Sequence, residues 1–246
     1  MLTVACYLWY DPMWRHSGAF TYGARHVRLL RDMVAKNITV PYEFVCITDR
    51  PHLFANSPGI RAIMIDWTTH VPGTEFVKLM TFHPNGRQII GERVLQLDLD
   101  TVIVNNIDKI VNRDEDLVVW RNPTRIPYAN PAKSSRPYYN GSVILHRCGT
   151  HPEIWKVFDQ KKPTPNVRDT QVWMSVLIGP DAPYWDDRDG IYRIARADTP
   201  GSGVSGLLPD NACIVTFPGD QGKPWLPEVR KANPWIADYW PEHLAA

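Results

Sequence analysis

Net charge is nearly absent from this sequence: 27 Lys plus Arg stand against 26 Asp plus Glu, leaving +1 over 246 residues. That balance offers no overall electrostatic footprint for nucleic acid or an anionic membrane, although a local basic groove stays compatible with it. Long apolar runs are missing too, since no stretch approaches the roughly 18 uninterrupted apolar residues of a membrane span. The four cysteines, Cys6, Cys46, Cys148 and Cys213, stand far apart and form no CxxC or zinc spacing. Three of them lie in runs that read as strands, so buried, reduced thiols in a cytoplasmic protein are expected. The opening MLTVACYLWYDPMWR has no basic flank before its apolar run and no small-residue cleavage site after it, and reads as a first strand rather than a signal peptide. No internal repeat or low-complexity segment is present, and the eight histidines show no ligand spacing. The Gly-rich GSGVSG at 201 to 206 lacks the Lys and following helix of a phosphate-binding loop and reads as a mobile loop.

What the chain does have is aromatic and proline content, with ten Trp and 22 Pro suggesting a loop-rich surface able to stack on sugars or bases. Its length suits one undivided α/β domain. Along it, Thr3 to Trp9 reads as a strand, and His26, Leu29, Leu30, Met33 and Val34 repeat with helical spacing. Further strands are expected at Glu43 to Thr48, Arg61 to Ile65 and Arg93 to Leu97, with a short helix at Glu75 to Phe82. This alternation implies a central, mostly parallel sheet flanked by helices, which binds ligands beyond the carboxyl ends of its strands. The second half is less regular. Strands are expected at Leu117 to Trp120, Ser142 to His146 and Cys213 to Phe217, and helices near Pro152 to Gln160 and Thr170 to Ile178.

The most informative short segment is VLQLDLDTVIV. In an extended chain residues i and i+2 point to the same side, so Asp98 and Asp100 present two carboxylates to one point at a strand end. Two like charges between two apolar runs cost stability unless a cation joins them. A hard divalent ion such as Mn or Mg takes oxygen ligands and bridges phosphate oxygens, which suits anchoring a diphosphate leaving group. The same residues serve another chemistry. In a phosphatase of the haloacid dehalogenase type, the first Asp of such a pair is the nucleophile and the second the general acid. That reading needs the motif on the first strand and needs Lys223, Asp186 and Asp187 gathered around it, whereas nearly a hundred residues and three strands precede Asp98.

The segment KLMTFHPNGRQIIGERVLQLDLDTVIVNNID resembles the donor-binding core of family 8-like GT-A glycosyltransferases. YYNGSVILHR at 138 to 147 is similar to that family's Asn followed by two small residues and an apolar strand, and FPGDQGKPW at 217 to 225 to its closing Gly and Lys-Pro-Trp motif. The opening TYGARHVRLLRDMV and YEFVCITDRP are similar to a small, mostly uncharacterised bacterial and phage branch. The resemblance implies a single GT-A domain, with residues 1–105 the nucleotide-binding half and 106–246 the acceptor half and tail. It implies transfer of a sugar from a nucleoside-diphosphate donor, UDP-linked, to an acceptor hydroxyl, with anomeric configuration retained. Residue by residue, Asp98 and Asp100 would hold the metal, and Lys78 and Lys223 would neutralise phosphate. Asn140, Gly141, Ser142 and Gly219 would lie along the substrates. Asp169 and Gln171 would stand near the anomeric centre, and Trp9, Tyr10, Asp11, Thr48 and Asp49 would hold base and ribose. The acceptor is left open between a glycan and a modified DNA base. A GT-A fold kept only for binding the nucleotide sugar is the third reading. One departure stands out, because Thr216 occupies the place where the family commonly has a metal-binding His.

Overall fold

The computed structural model describes residues 1–9, 22–65, 75–122, 137–161, 170–195, 203–217, 219 and 222–241. Its frame is a seven-stranded sheet in the order β3-β2-β1-β4-β7-β6-β8. These strands are β1 (Leu2–Leu8), β2 (Tyr42–Thr48), β3 (Arg61–Met64), β4 (Arg93–Leu97), β6 (Leu117–Arg121), β7 (Tyr139–Arg147) and β8 (Tyr184–Trp185). β1 is buried along its whole length, as its unbroken LTVACYL run requires of a strand covered on both faces. It pairs in parallel with β2 and β4, and the registers Leu8↔Thr48 and Ala5↔Gln96 bring the carboxyl ends of all three to one edge. β7 alone runs against its neighbours, antiparallel to both β4 and β6, so its beginning, not its end, arrives at that edge.

Helix α1 (Ala24–Asn37) turns Val27, Leu30, Met33 and Val34 inward at helical spacing, where they join Val4, Cys6 and Leu8 in the largest apolar cluster. Its N-terminus is closed by a histidine. His26 Nδ1 accepts from the Gly23 N–H at 2.9 Å, the half of a capping box usually made by Glu or Gln, while the His26 N–H donates to the Gly23 carbonyl at 2.9 Å. Short helices follow at α2 (Gly86–Ile89) and α3 (Asp108–Val111). The opposite face of the sheet is covered by a 3-10 helix at Glu75–Phe82, by α4 (Pro152–Lys161) and by α5 (Thr170–Ile178).

The expected parallel core is present. Three features differ from the sequence reading. The Thr101 to Val104 stretch contributes only a two-residue strand, β5 (Val102–Ile103), to a separate small sheet ordered β5-β10-β9, with β9 (Ile191–Arg193) and β10 (Ile214–Thr216). β8 and β9 are too short to show a period of their own in the sequence. The Gly-rich segment is anchored over its described part, since Val204 bridges Ile194 and the Gly206 N–H donates to Asn233 Oδ1 at 3.0 Å. All four cysteines are free and buried. The tail returns through α6 (Pro227–Ala232) and a 3-10 turn at Pro234–Asp238 to seat Trp240 in the same core as β1.

Candidate active site at the carboxyl edge of the sheet

Asp98 follows the last residue of β4, and its backbone N–H donates to Ser142 O at 3.1 Å, which ties the acidic turn to the start of β7. The Thr101 N–H closes the turn on Asp98 O at 3.1 Å. Each carboxylate carries its own ammonium. Lys78, on the 3-10 helix, places Nζ 2.5 Å from Asp98 Oδ1. Lys223 Nζ bonds Asp100 Oδ2 across 123 residues of chain and also donates to Phe217 O at 3.3 Å. The outer pair is partly open, with side-chain exposures of 13% and 24%, whereas Lys223 and Asp100 keep only 10% and 7%. Asp100 Oδ2 accepts in addition from the Tyr22 hydroxyl at 2.8 Å.

Tyr22 is positioned from behind. Its ring packs edge-on against His26 and Trp225, and His26 in turn lies against Trp225 and Trp240. Burial holds the His26 imidazole down at about 4, with Arg25 adding to the effect, so near neutral pH its Nδ1 is free to accept the cap hydrogen bond. The helix cap, the aromatic cluster and the inner carboxylate therefore form one connected unit.

The other expected residues that the structure describes are in different states. Asn140 Oδ1 accepts from the Ser142 N–H at 2.8 Å, where a bulge interrupts the β6–β7 register. Gly141 lies so close under the first turn of α5 that a Cβ there would stand 3.0 Å from Gln171 Cγ, which brings Gln171 over the start of β7. Thr48 is fully buried and its hydroxyl accepts from the Arg50 N–H at 3.1 Å, so that side chain is committed to the turn. Asp49 is paired with Arg50 at 3.4 Å. Trp9 follows the end of β1, and its indole N–H is buried without a hydrogen-bond partner among the described residues. Gly219 is exposed in the left-handed region at φ 69°, a conformation glycine adopts without cost. Tyr10, Asp11 and Asp169 lie outside the described residues. Thr216 is buried on β10, its hydroxyl donating to Tyr192 O at 3.4 Å, which turns it away from any ligand role.

Among the described residues no group of three His, Cys, Asp or Glu is placed to hold a metal ion. The donor set still fits a hard divalent cation. Two carboxylates at i and i+2 each already hold an ammonium, and Mg or Mn sites commonly complete their oxygen shell with water and substrate phosphate. Sequence reasoning overlooked Tyr22. Its only trace was its place just before the Gly that opens α1. The phosphatase arrangement does not assemble, because Asp186 follows β8, three strands from β4, or about 14 Å at the usual strand spacing. Asp186 is also held by a fork of bonds from Arg188.

An open sheet with parallel strands on one side, an antiparallel seventh strand and an acidic pair at the end of β4 defines the GT-A fold of nucleotide-sugar transferases. Solved structures bear this out. The chain superposes over its whole length on 95% of the galactosyltransferase LgtC, solved with donor and acceptor sugar analogs, at a TM-score of 0.62 and 15% identity. It also superposes on 60% of the glycosyltransferase GlyE of Streptococcus pneumoniae TIGR4 (TM-score 0.60, 12% identity) and on 51% of the bifunctional glycosyltransferase WbbM (0.57, 12%). No protein-family model and no curated protein sequence matches the chain. Among the described residues no helix is long and apolar enough to cross a membrane.

Proposed function

We propose that this chain is a glycosyltransferase that moves a sugar from a nucleoside-diphosphate donor, UDP-linked, to an acceptor hydroxyl in the cytoplasm. The observation that carries the proposal is the four-group cluster of Asp98, Lys78, Asp100 and Lys223 at the carboxyl end of β4, within a fold that LgtC, GlyE and WbbM share. In this reading Asp98 and Asp100 hold Mn or Mg, which when bound neutralises charge on the departing diphosphate. Lys78 and Lys223 exchange a carboxylate for a phosphate oxygen as the donor enters. Asn140, Gly141 and Ser142 line the transferred sugar, and Trp9 with Asp49 flanks the base and ribose.

Gln171 lies beside Gly141, on the side where the anomeric carbon would be held, and Asp169 precedes it by two residues. An active-site glutamine-to-glutamate variant of LgtC has been solved, which makes Gln171 the first position to examine for retaining transfer. The four buried, free thiols accord with a reducing compartment.

The test is thermal-shift binding of UDP, GDP, CDP and ADP with and without Mn, on the wild type and on D98A/D100A. One nucleotide should stabilise the wild type only with metal, and the double variant should not respond. Absence of binding by any nucleotide would remove the chemical basis of the proposal. Binding of the nucleotide without hydrolysis or transfer of its sugar would leave a nucleotide-sugar-binding protein.

A further inference from the structure

The strand order lays the candidate site out in a line. From β4, which carries the acidic pair, the carboxyl edge runs through the start of β7 to the ends of β6 and β8. Arg121 ends β6 and pairs with Tyr139 of β7, so it stands two strands to the side of Asp98, about 10 Å across the sheet at ordinary spacing, and also further along β7, opposite Tyr139 where Asp98 is tied to Ser142. That gap is the space the proposed function gives to the transferred sugar. What lies at Arg121 would meet the acceptor.

The Arg121 guanidinium lies over the Tyr184 ring, 3.3 Å from its centroid, and its Nε is buried with no hydrogen-bond partner among the described residues. Among the described residues no carboxylate comes within ion-pair distance of it. Arg188 above all, and Arg121 more weakly, hold the Asp186 carboxyl below its usual range, so the nearest acidic group is engaged mainly by Arg188. Asp186 accepts from Arg188 Nε and Nη2, and Asp189 Oδ2 accepts from the Asp186 N–H at 3.0 Å. A planar cation held on an aromatic face, with its buried Nε unspent, is prepared to recognise an anion. Burying the Nε without a partner costs stability, and a bound oxyanion would satisfy it.

Resting on the glycosyltransferase reading, we propose that Arg121 and Tyr184 form an acceptor subsite for an anionic group, a carboxylate or phosphate carried by the acceptor. Arg121 acts there as a specificity residue. Three probes separate the possibilities: methyl β-glucuronide for a carboxylate, glucose 6-phosphate for a phosphate, and methyl β-glucoside as the neutral control. Their affinities are measured by calorimetry on the full chain with UDP and Mn present. One of the two anionic probes should bind about tenfold or more tighter than the glucoside, the discrimination expected of a charged hydrogen bond. R121M should erase that preference and R121K restore part of it, with UDP binding unchanged in both. Equal affinity for all three probes, or a preference that survives in R121M, overturns the proposal. If UDP itself fails to bind the wild type, the donor reading falls instead, and the same three probes on the nucleotide-free chain still decide whether Arg121 selects anions.

Discussion

Lys223 and Asp100 form a nearly fully buried ion pair, and removing one partner of such a pair strands the other charge away from water. K223M is therefore expected to destabilise the chain by about 3–5 kcal/mol. K223M/D100N should cost clearly less than the sum of the two single changes, and urea unfolding of the four-member cycle measures the coupling. The site cluster also has two positive and two negative members, so its formal charge is zero. A divalent ion entering alone would add two uncompensated charges, whereas an ion entering with a nucleoside diphosphate arrives nearly balanced. Mn affinity should accordingly be weak without UDP and rise sharply with it, which electron paramagnetic resonance of free Mn can read directly. A second residue-scale expectation concerns His146, stacked on Phe82 and fully buried, whose imidazole burial holds down at about 3. The unfolded chain takes up that proton near 6.5 and the folded chain does not, so stability is intact above 6.5 and falls as pH drops toward 3. H146L should lower that slope by about 1.4 kcal/mol per pH unit in this window, measured by urea unfolding at several pH values.

At the scale of elements, β7 explains why part of the site was legible in the sequence and part was not. Asp98 and Asp100 could be picked out because the apolar runs on either side mark the end of a strand, but they sit in the turn that the Thr101 N–H closes on Asp98 O, not in an extended segment where i and i+2 alternate. That β7 runs antiparallel, bringing Asn140 and Gly141 to the same edge, is a property of pairing, which no local period encodes. Tyr22 and Arg121 were invisible for a related reason. Each acquires its role from a partner 78 or 63 positions away in the sequence, Asp100 for the first and Tyr184 for the second. The close passage of Gly141 beneath α5 yields its own prediction. G141A places a methyl group 3.0 Å from Gln171 Cγ and should push that side chain aside. Sugar transfer should fall well beyond any loss in UDP affinity, and a matched loss of both would argue that Gln171 only packs.

Seen as a whole molecule, the largest apolar cluster joins Leu2 in β1 to Trp240 in the tail. Residues from both halves of the chain share that one core, which favours a single undivided domain. Tryptophan fluorescence and far-ultraviolet circular dichroism should then report coincident unfolding transitions in denaturant. Separate transitions would divide the chain into units.

The span of the inner ion pair has a further consequence for how the protein comes into being. Its anionic half is made when residue 100 leaves the ribosome, and its cationic half only 123 residues later. A nascent chain thus carries a half-made pocket, with Asp100 lacking its ammonium, through much of its synthesis. If the cluster holds the donor as proposed, capture would begin only after the tail has come home, and a chain arrested before residue 223 would be silent toward nucleotide however well its first strands had paired.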